Sequence, residues 1–200
     1  MADHQPWLIV GLGNPGREYS KTRHNFGWMV LDAFLQDCVR RKLPGSHPAW
    51  KEEGGAYYAM FSWHEEKVVL LKPAAYMNRS GEAVGRFAGF YKTPIARIVV
   101  VHDEVDIPFS AVRIKQGGGE GGHNGLRSIT GSLSSREYVR VRLGVGRPPP
   151  EAHYLEVSEW VLSRFATEEE RELEAIIPRA VESIWTILES GVGVAQNRFN

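Results

Sequence analysis

The most informative stretch of the sequence is Gly11-Leu12-Gly13-Asn14-Pro15-Gly16, which runs on to Thr22-Arg23-His24-Asn25. It follows the apolar run Trp7-Leu8-Ile9-Val10, which predicts a buried strand. The stretch therefore places a tight turn, an asparagine and a histidine at the end of a strand. In α/β proteins, ligands bind outside the carboxyl ends of the strands.

The glycines of this stretch match the G-x-G-x-x-G pattern of dinucleotide-binding proteins. A phosphate-binding turn of that kind opens directly into a helix, whose N-terminal amides hold the pyrophosphate. Here the chain continues as loop from Pro15 to Ser20, and the next helical pattern begins near Asn25. No acidic residue ends a second strand about 20 residues on, since Asp32 falls inside the predicted helix. The context therefore disfavours nucleotide binding.

The composition indicates a single globular domain over residues 1–200. The chain has 200 residues and 42% hydrophobic content, enough for one core. No apolar run approaches the ~20 residues of a membrane helix, and residues Met1 to His4 lack the basic-then-apolar pattern of a secretion signal. The single cysteine, Cys38, lies on the apolar face of a predicted helix and is expected to pack there. We therefore expect a cytoplasmic protein.

The net charge is zero, but the charges are unevenly distributed. Residues 111–150 carry only two glutamates and seven basic residues: Arg113, Lys115, Arg127, Arg136, Arg140, Arg142 and Arg147. A basic stretch beside a glycine-rich loop is compatible with a phosphate-binding surface. On composition alone, a solvated face is the more common explanation.

Strand and helix patterns alternate along the chain. Helices are predicted over Asn25–Lys42, over Gly81–Tyr91 with Ser80 as N-cap, and from a capping box at Thr167 and Glu170 to Gly191. Strands are predicted over Ala56–Trp63 and Val68–Leu71 as a hairpin, over Ile98–Val101, and over Val139–Val145. In the last strand arginines alternate with apolar residues, which predicts one buried and one basic face. The order predicts an α/β single domain with a twisted mixed β-sheet covered by helices on both faces.

Four polar clusters follow predicted strands: Asn14 with His24, then Asn78, then His102-Asp103-Glu104, and then His123 with Asn124 in a glycine-rich loop. A carboxylate of the third cluster can accept the imidazole N–H of His24, fix its tautomer and make it a stronger base. The side-chain amides can bind a carbonyl or a peptide N–H without adding charge. Taken singly, such loop residues are more often turn-formers or structural groups.

The sequence lacks the motifs of several other hydrolase classes. It has no G-x-S-x-G nucleophile elbow, no H-E-x-x-H motif and no cysteine pair. The segment His102-Asp103-Glu104 as a set of metal ligands is the less favoured interpretation. What remains is a histidine–aspartate pair that acts on water, with amides to hold the oxyanion. Such chemistry suits a reactive substrate, for example an activated ester.

In order and spacing, the motifs resemble those of the bacterial peptidyl-tRNA hydrolases of monomeric α/β type. The similar segments are Gly11–Gly16 with Tyr19, Thr22–Asn25, Lys72–Gly81, His102–Pro108, Gly117–Leu126 and Asn197–Asn200. The resemblance implies a monomer that needs no metal or cofactor and hydrolyses the ester between tRNA and a peptide or N-blocked aminoacyl group. Two alternatives remain. One is a non-catalytic RNA-binding relative, and the other is a small-molecule or nucleoside-processing hydrolase of similar fold.

The resemblance also implies roles for individual residues. His24 matches the general base, Asp103 its supporting carboxylate, and Asn14 the position that discriminates blocked from unblocked substrates. The side-chain oxygen of Asn14 is expected to accept the amide N–H of a blocked substrate, and the side-chain amides of Asn14 and Asn78 are the leading candidates to stabilise the oxyanion. The remaining matches are substrate-binding positions at Tyr19, Tyr76, Asn78 and Asn124, and the residues that grip the tRNA 5′-phosphate at Lys115 and Arg142.

Three positions depart from the family pattern. Tyr76 stands where phenylalanine is common, and Phe109-Ser110 occupies a turn where glycine is usual. Glu120 adds a negative charge to the glycine-rich loop. None of the three is a catalytic position.

Overall fold

The computed structural model describes residues 5–200, so Met1 to His4, where no secretion signal is expected, lie outside the described residues. Within this range the strands are β1 (Trp7–Gly11), β2 (Lys51–Glu53), β3 (Ala56–Trp63), β4 (Glu66–Pro73), β5 (Ile98–Glu104), β6 (Val112–Gln116) and β7 (Val139–Gly144). They form one sheet in the order β2-β3-β4-β1-β5-β7-β6. The strands β4, β1, β5 and β7 run parallel, and the outer pairs are antiparallel. The predicted mixed sheet is confirmed.

The helices are α1 (Phe26–Arg40), α2 (Ser80–Tyr91), α3 (Asn124–Leu133), α4 (Val157–Leu162), α5 (Thr167–Ser190) and α6 (Val192–Phe199). One core forms between the sheet and α1, α5 and α6, and includes Phe34 and Ile184. A second core lies on the opposite face under α2 and α3, and includes Val84 and Leu126. Helices therefore cover both faces, as predicted. Among residues 5–200, no helix combines the length and apolar character needed to cross a membrane.

The helix α1 begins in direct contact with the ends of the central strands. An added Cβ on Gly27 would lie 2.3 Å from the carbonyl oxygen of Val101 and 2.5 Å from the amide nitrogen of Leu12. Only glycine permits this approach. The contact brings the turn before α1, which carries His24, against the carboxyl ends of β1 and β5.

Two predicted helix caps are wrong. Ser80 is the first residue of α2, and its hydroxyl donates to the carbonyl oxygen of Met77 at 2.8 Å instead of accepting from the helix. At α5, the carboxylate of Glu169 accepts the backbone N–H of Ala166 at 2.7 Å. The cap therefore uses the residue before Thr167, and the glutamate one position earlier than predicted.

The predicted basic face of β7 is present, because Arg140 and Arg142 stand opposite Lys115 and Arg113 of β6, but this face is not open to solvent. Arg140 is 3% exposed, and its guanidinium donates to the carbonyl oxygens of Gly118 and Gly119. Arg142 is half-buried, and its Nε lies 3.1 Å from Oε2 of Glu104. Because the glycine-rich loop folds over this side of β7, both faces of the strand are covered.

Candidate active site

Most of the predicted site residues meet at one edge of the sheet, because β1, β4 and β5 are parallel and end there. Asn14 follows β1, and the short 3₁₀ turn Met77–Arg79 follows β4. Asp103 lies within β5, which extends three residues beyond the predicted Ile98–Val101. A cleft of about 590 Å³ opens at this edge, and its lining includes Asn14, Tyr19, His24, Tyr76, Asn78, Asp103 and Asn124.

His24 and Asp103 form a buried pair in the floor of the cleft. Nδ1 of His24 lies 3.0 Å from both carboxylate oxygens of Asp103, and the two residues are 9% and 2% exposed. A carboxylate only accepts hydrogen bonds, so Nδ1 carries the proton and Nε2 is left as the basic nitrogen. Burial alone would lower the pKa of His24, but the charge and hydrogen bond of Asp103 outweigh it and raise that pKa.

A second histidine, His123, shares the same carboxylate. Its Nε2 lies 3.0 Å from Oδ1 of Asp103, and its Nδ1 accepts the backbone N–H of Gly125 at 3.1 Å. The Gly125 amide therefore fixes the tautomer with the proton on Nε2. Burial opposes ionisation of Asp103, but the two histidines more than offset it and hold the pKa of Asp103 well below its usual range. Sequence reasoning placed His123 in the glycine-rich loop but gave no signal linking it to Asp103.

A third histidine, His102, stands behind the pair. It is 1% exposed, and its Nδ1 donates to the backbone carbonyl of Asp103 at 2.7 Å. Its Nε2 has no hydrogen-bond partner among residues 5–200. Burial, together with His123, lowers the pKa of His102 to about 3. His102 is therefore a neutral structural group.

The nearby ligand atoms of His24, Asp103 and His123 lie within 4.8 Å of one another, a separation that a metal ion could bridge. The tautomer of His123 does not fit such an ion. A metal would need the lone pair of Nε2, while Nδ1 already accepts from Gly125. Both nitrogens would then be unprotonated, whereas proteins ligate metals with neutral imidazole. His24 and His123 therefore fit hydrogen bonds to the Asp103 carboxylate better than they fit a metal ion.

Asn14 is held in a fixed orientation at the cleft. Its Oδ1 accepts the backbone N–H of Met77 at 2.8 Å. Its own backbone N–H and carbonyl pair with the side-chain amide of Asn25, both at 2.9 Å. Because the Met77 amide is a donor, Oδ1 must face it and Nδ2 must face away. Nδ2 has no partner among the described residues, so Asn14 offers a donor to the cleft. Sequence reasoning missed the supporting role of Asn25.

The remaining predicted residues occupy two different places. Tyr76 is 61% exposed at the rim of the cleft, and Asn78 and Asn124 are exposed beside it. Lys115 and Arg142 do not line the cleft. They lie on neighbouring strands of the sheet, where Lys115 is exposed and stands opposite Arg140. The structure therefore separates the two predicted phosphate-binding residues from the His24–Asp103 pair in the floor of the cleft.

The negative charge of Glu120 is balanced locally. Its Oε1 accepts from Nε of Arg136 at 2.9 Å. The pairing ties the carboxylate to a cation on the same surface. The glycine-rich loop consequently presents no free carboxylate at this position.

One wall of the cleft comes from α4, an element that sequence reasoning did not predict. Val157, Val161 and Leu162 line the cleft from this helix, and Val157 and Leu162 are 36% and 42% exposed. The sequence signal was weak, because α4 has only six residues and follows a proline run. The wall makes one side of the cleft apolar.

This fold and site define a class: α/β enzymes in which a histidine, supported by a buried carboxylate, can activate water beside an amide donor. The family model described as peptidyl-tRNA hydrolase matches residues 8–200. A peptidyl-tRNA hydrolase of Arthrobacter sp. (strain FB24) is 43% identical over 194 residues, which cover 97% of this chain and 96% of that protein. One of Nocardia farcinica (strain IFM 10152) is 42% identical over 195 residues, covering 98% and 96%.

Comparison with solved structures gives the same family. The crystal structure of peptidyl-tRNA hydrolase from Acinetobacter baumannii is similar with a TM-score of 0.84 and 33% identity, over 98% of this chain and 95% of that one. The chain belongs to the peptidyl-tRNA hydrolase family.

Proposed function

We propose that this chain hydrolyses the ester bond of peptidyl-tRNA, with His24 as general base and Asp103 as its support. The observation that carries the proposal is the buried contact of His24 Nδ1 with both oxygens of Asp103. It directs the lone pair of Nε2 towards a cleft whose lining, among residues 5–200, contains no cysteine. Ser158 lies on α4 in the same lining and makes no hydrogen bond to His24, so water is the nucleophile that His24 can activate.

The reaction needs one proton shuttle. Nε2 of His24 takes a proton from water as the water oxygen attacks the ester carbonyl. The tetrahedral oxyanion accepts a hydrogen bond from Nδ2 of Asn14, whose Oδ1 is already held by Met77. When the carbon–oxygen bond to the tRNA breaks, the 3′-hydroxyl oxygen takes the proton back from His24. The products are a free peptide and a free tRNA. In this proposal Asn14 keeps the oxyanion-binding role expected from the sequence. The acceptor role also expected for its side-chain oxygen is not used, because Oδ1 already accepts from Met77.

The surroundings of the cleft suit a large substrate. Tyr76 exposes most of its ring at the rim, where a base can stack, and Tyr19, Asn78 and Asn124 offer polar contacts. Lys115 and Arg142 lie outside the cleft on one side of β6 and β7. Diagonal neighbours of this kind are about 7–8 Å apart, a separation that one phosphate can bridge. They would hold the 5′-phosphate while the 3′ end occupies the cleft.

We further propose that the protein acts as a single-domain monomer in the cytoplasm. The cleft and its hydrogen bonds are formed by residues of one chain. Its substrate, peptidyl-tRNA, arises where translation takes place.

The test is hydrolysis of an N-acetyl-aminoacyl-tRNA by the wild-type protein and by His24→Ala. Loss of a general base should lower turnover by ~10²–10⁴-fold, while tRNA binding is retained. His153→Ala is the matched control, because His153 is exposed and bonds only the carbonyl oxygen of Pro150. Near-normal turnover of folded His24→Ala would contradict the proposal. Binding of tRNA without hydrolysis by the wild type would favour the non-catalytic alternative.

A further inference from the structure

The residue before the catalytic histidine is an arginine that is buried and makes many contacts. Arg23 is 3% exposed, and its guanidinium lies 3.6 Å from the centre of the Trp160 ring. Its nitrogens donate to Ser163 Oγ at 2.7 Å, to the carbonyl oxygen of Arg164, and to Glu169 Oε2 at 2.6 Å. Its backbone N–H also donates to the carbonyl oxygen of Ser163 at 3.1 Å. One side chain thus holds α4, the start of α5 and the segment between them.

A buried arginine is costly to retain. Burial lowers the pKa of Arg23, and the Glu169 carboxylate offsets this only in part. Its Nε has no hydrogen-bond partner among the described residues. Buried ion pairs contribute little net stability compared with apolar replacements. What they do supply is a defined geometry.

The contacts of Arg23 fix the position of α4, which forms one wall of the cleft. Arg23 and His24 are neighbours in one 3₁₀ turn, and their side chains serve opposite sides of it. His24 contacts Asp103, whereas Arg23 contacts Trp160 on α4. Trp160 is held at its other end, where Nε1 donates to the carbonyl oxygen of Gly146 at 2.9 Å. The same helix carries Val157, Val161 and Leu162 into the cleft.

We infer that Arg23 is a positioning residue that fixes the apolar wall of α4 relative to His24 and so determines which acyl side chains the cleft accepts. The inference rests on the proposed function, because it takes the ester carbon to lie at His24. The side chain next to that carbon then faces Val157, Val161 and Leu162. A glycine residue at that position has no side chain to touch the wall, whereas a large apolar residue is held by it.

The experiment compares two esters on one and the same tRNA: N-acetylphenylalanyl and N-acetylglycyl. The wild type should show a higher kcat/KM for the phenylalanyl ester. Arg23→Lys keeps the charge but loses the planar stack on Trp160 and the fork of donors. It should lower kcat/KM for the phenylalanyl ester about tenfold and for the glycyl ester by less than about twofold. The acid limb of the pH–rate profile, which reports His24, should not move.

Two further variants make the test specific. Trp160→Leu should produce the same selective loss, and the double variant should lose no more than either single one, because both remove one contact. Arg41→Lys is the matched control. Arg41 also lies over a tryptophan, Trp185, at 4.6 Å and pairs with Asp37 at 2.7 Å, but it lies outside the cleft. It should leave both esters unchanged.

Each outcome decides between named explanations. An equal loss for both esters in a folded Arg23→Lys protein would overturn the inference and show a general structural role. Equal kcat/KM values for the two esters in the wild type would also overturn it, because the apolar wall of α4 would then not discriminate between acyl side chains. If Arg23→Lys does not fold, Trp160→Leu alone decides by the same ratio. A failure of the proposed function gives a different result: His24→Ala would then hydrolyse the N-acetylglycyl ester as fast as the wild type does.

Discussion

At the scale of single residues, the site depends on one carboxylate with two histidine donors. Asp103 accepts from Nδ1 of His24 and from Nε2 of His123, and its backbone carbonyl accepts from His102. The Asp103 carboxylate fixes the proton of His24 on Nδ1, and the Gly125 amide fixes that of His123 on Nε2. The arrangement leaves Nε2 of His24 as the basic nitrogen, and Asp103 raises the pKa of His24, while His102 is kept neutral by its burial.

His102 provides a prediction about stability. Its pKa of about 3 in the folded protein compares with about 6.5 in an unfolded chain. Between these values the unfolded state binds the additional proton, so the free energy of unfolding falls as the pH is lowered through the window. Replacement by an amide that keeps the donor to Asp103, His102→Asn, should make the dependence between pH 4.5 and 6 shallower by up to ~1.4 kcal/mol per pH unit.

The measurement is urea unfolding of both proteins across this pH range. The window lies above the range in which Asp103 is protonated in an unfolded chain. The raised pKa of His24 acts with the opposite sign and is common to both proteins. His153→Asn, a change at an exposed histidine, serves as the control and should keep the wild-type slope. Parallel curves for His102→Asn and the wild type would show that His102 is not kept neutral by the fold.

At the scale of elements, sequence reasoning worked where hydrophobic periodicity is strong. It identified the hairpin of β3 and β4, the buried strand β5 and the long helices α1 and α5. It missed five of the described strands and α-helices: β2, β6, α3, α4 and α6. The three residues of β2 are all exposed and show no alternation, and α4 has only six residues after a proline run. Periodicity carries little information in elements this short.

The site was predictable to a similar extent. Strand ends gave His24, Asp103 and Asn14, because their position follows from local pattern. The contact of His123 with Asp103 and the contacts of Arg23 depend on which loops pack against each other. The hydrophobic pattern of one sequence contains no information about such long-range packing. The burial of Arg140 on β7 was not predicted for the same reason, since Gly119 and Gly118, which cover it, are 21 and 22 residues away in sequence.

The turn after β5 gives a prediction at the scale of an element. Ser110 has a φ of +74°, in the left-handed region that favours glycine, and glycine is the residue that the resemblance led us to expect there. Ser110→Gly should raise the free energy of unfolding by ~1 kcal/mol, because it removes the cost of a Cβ in this conformation. Thermal or urea unfolding measures the change.

A matched change elsewhere should have the opposite sign. Ser132 is exposed within α3, where glycine is unfavourable because of its backbone freedom. Ser132→Gly should lower the free energy of unfolding by ~0.5–1 kcal/mol. If both variants are destabilised equally, the turn at Ser110 is not strained.

At the scale of the whole molecule, the two edges of the sheet differ in charge. The β6 edge carries Arg113 and Lys115, whereas β2 at the other edge carries two glutamates beside Lys51. A polyanion should therefore bind on the β6 side. Arg142, on the neighbouring strand, is partly neutralised by Glu104.

Salt dependence tests this asymmetry. Lys115→Ala should raise KM for the tRNA substrate and reduce the slope of log binding against log salt by ~1, since one phosphate contact is lost. Saturated turnover should change little, because Lys115 lies outside the cleft. Lys51→Ala, at the opposite edge, is the control and should alter neither quantity. An equal loss of activity on small ester substrates would place Lys115 in the chemistry instead of in tRNA binding.

The most direct test of the account is the pH–rate profile of Asp103→Asn beside that of the wild type. The His24 base must be unprotonated, so the raised pKa of His24 sets the acid limb of the wild-type profile. An amide carries no charge with which to stabilise the imidazolium, and its NH₂ group is a donor that cannot accept from a histidine. We predict that kcat/KM falls by roughly 10²-fold on the plateau and that the acid limb moves to lower pH. An unchanged limb at an unchanged rate would contradict the His24–Asp103 pair as the catalytic unit.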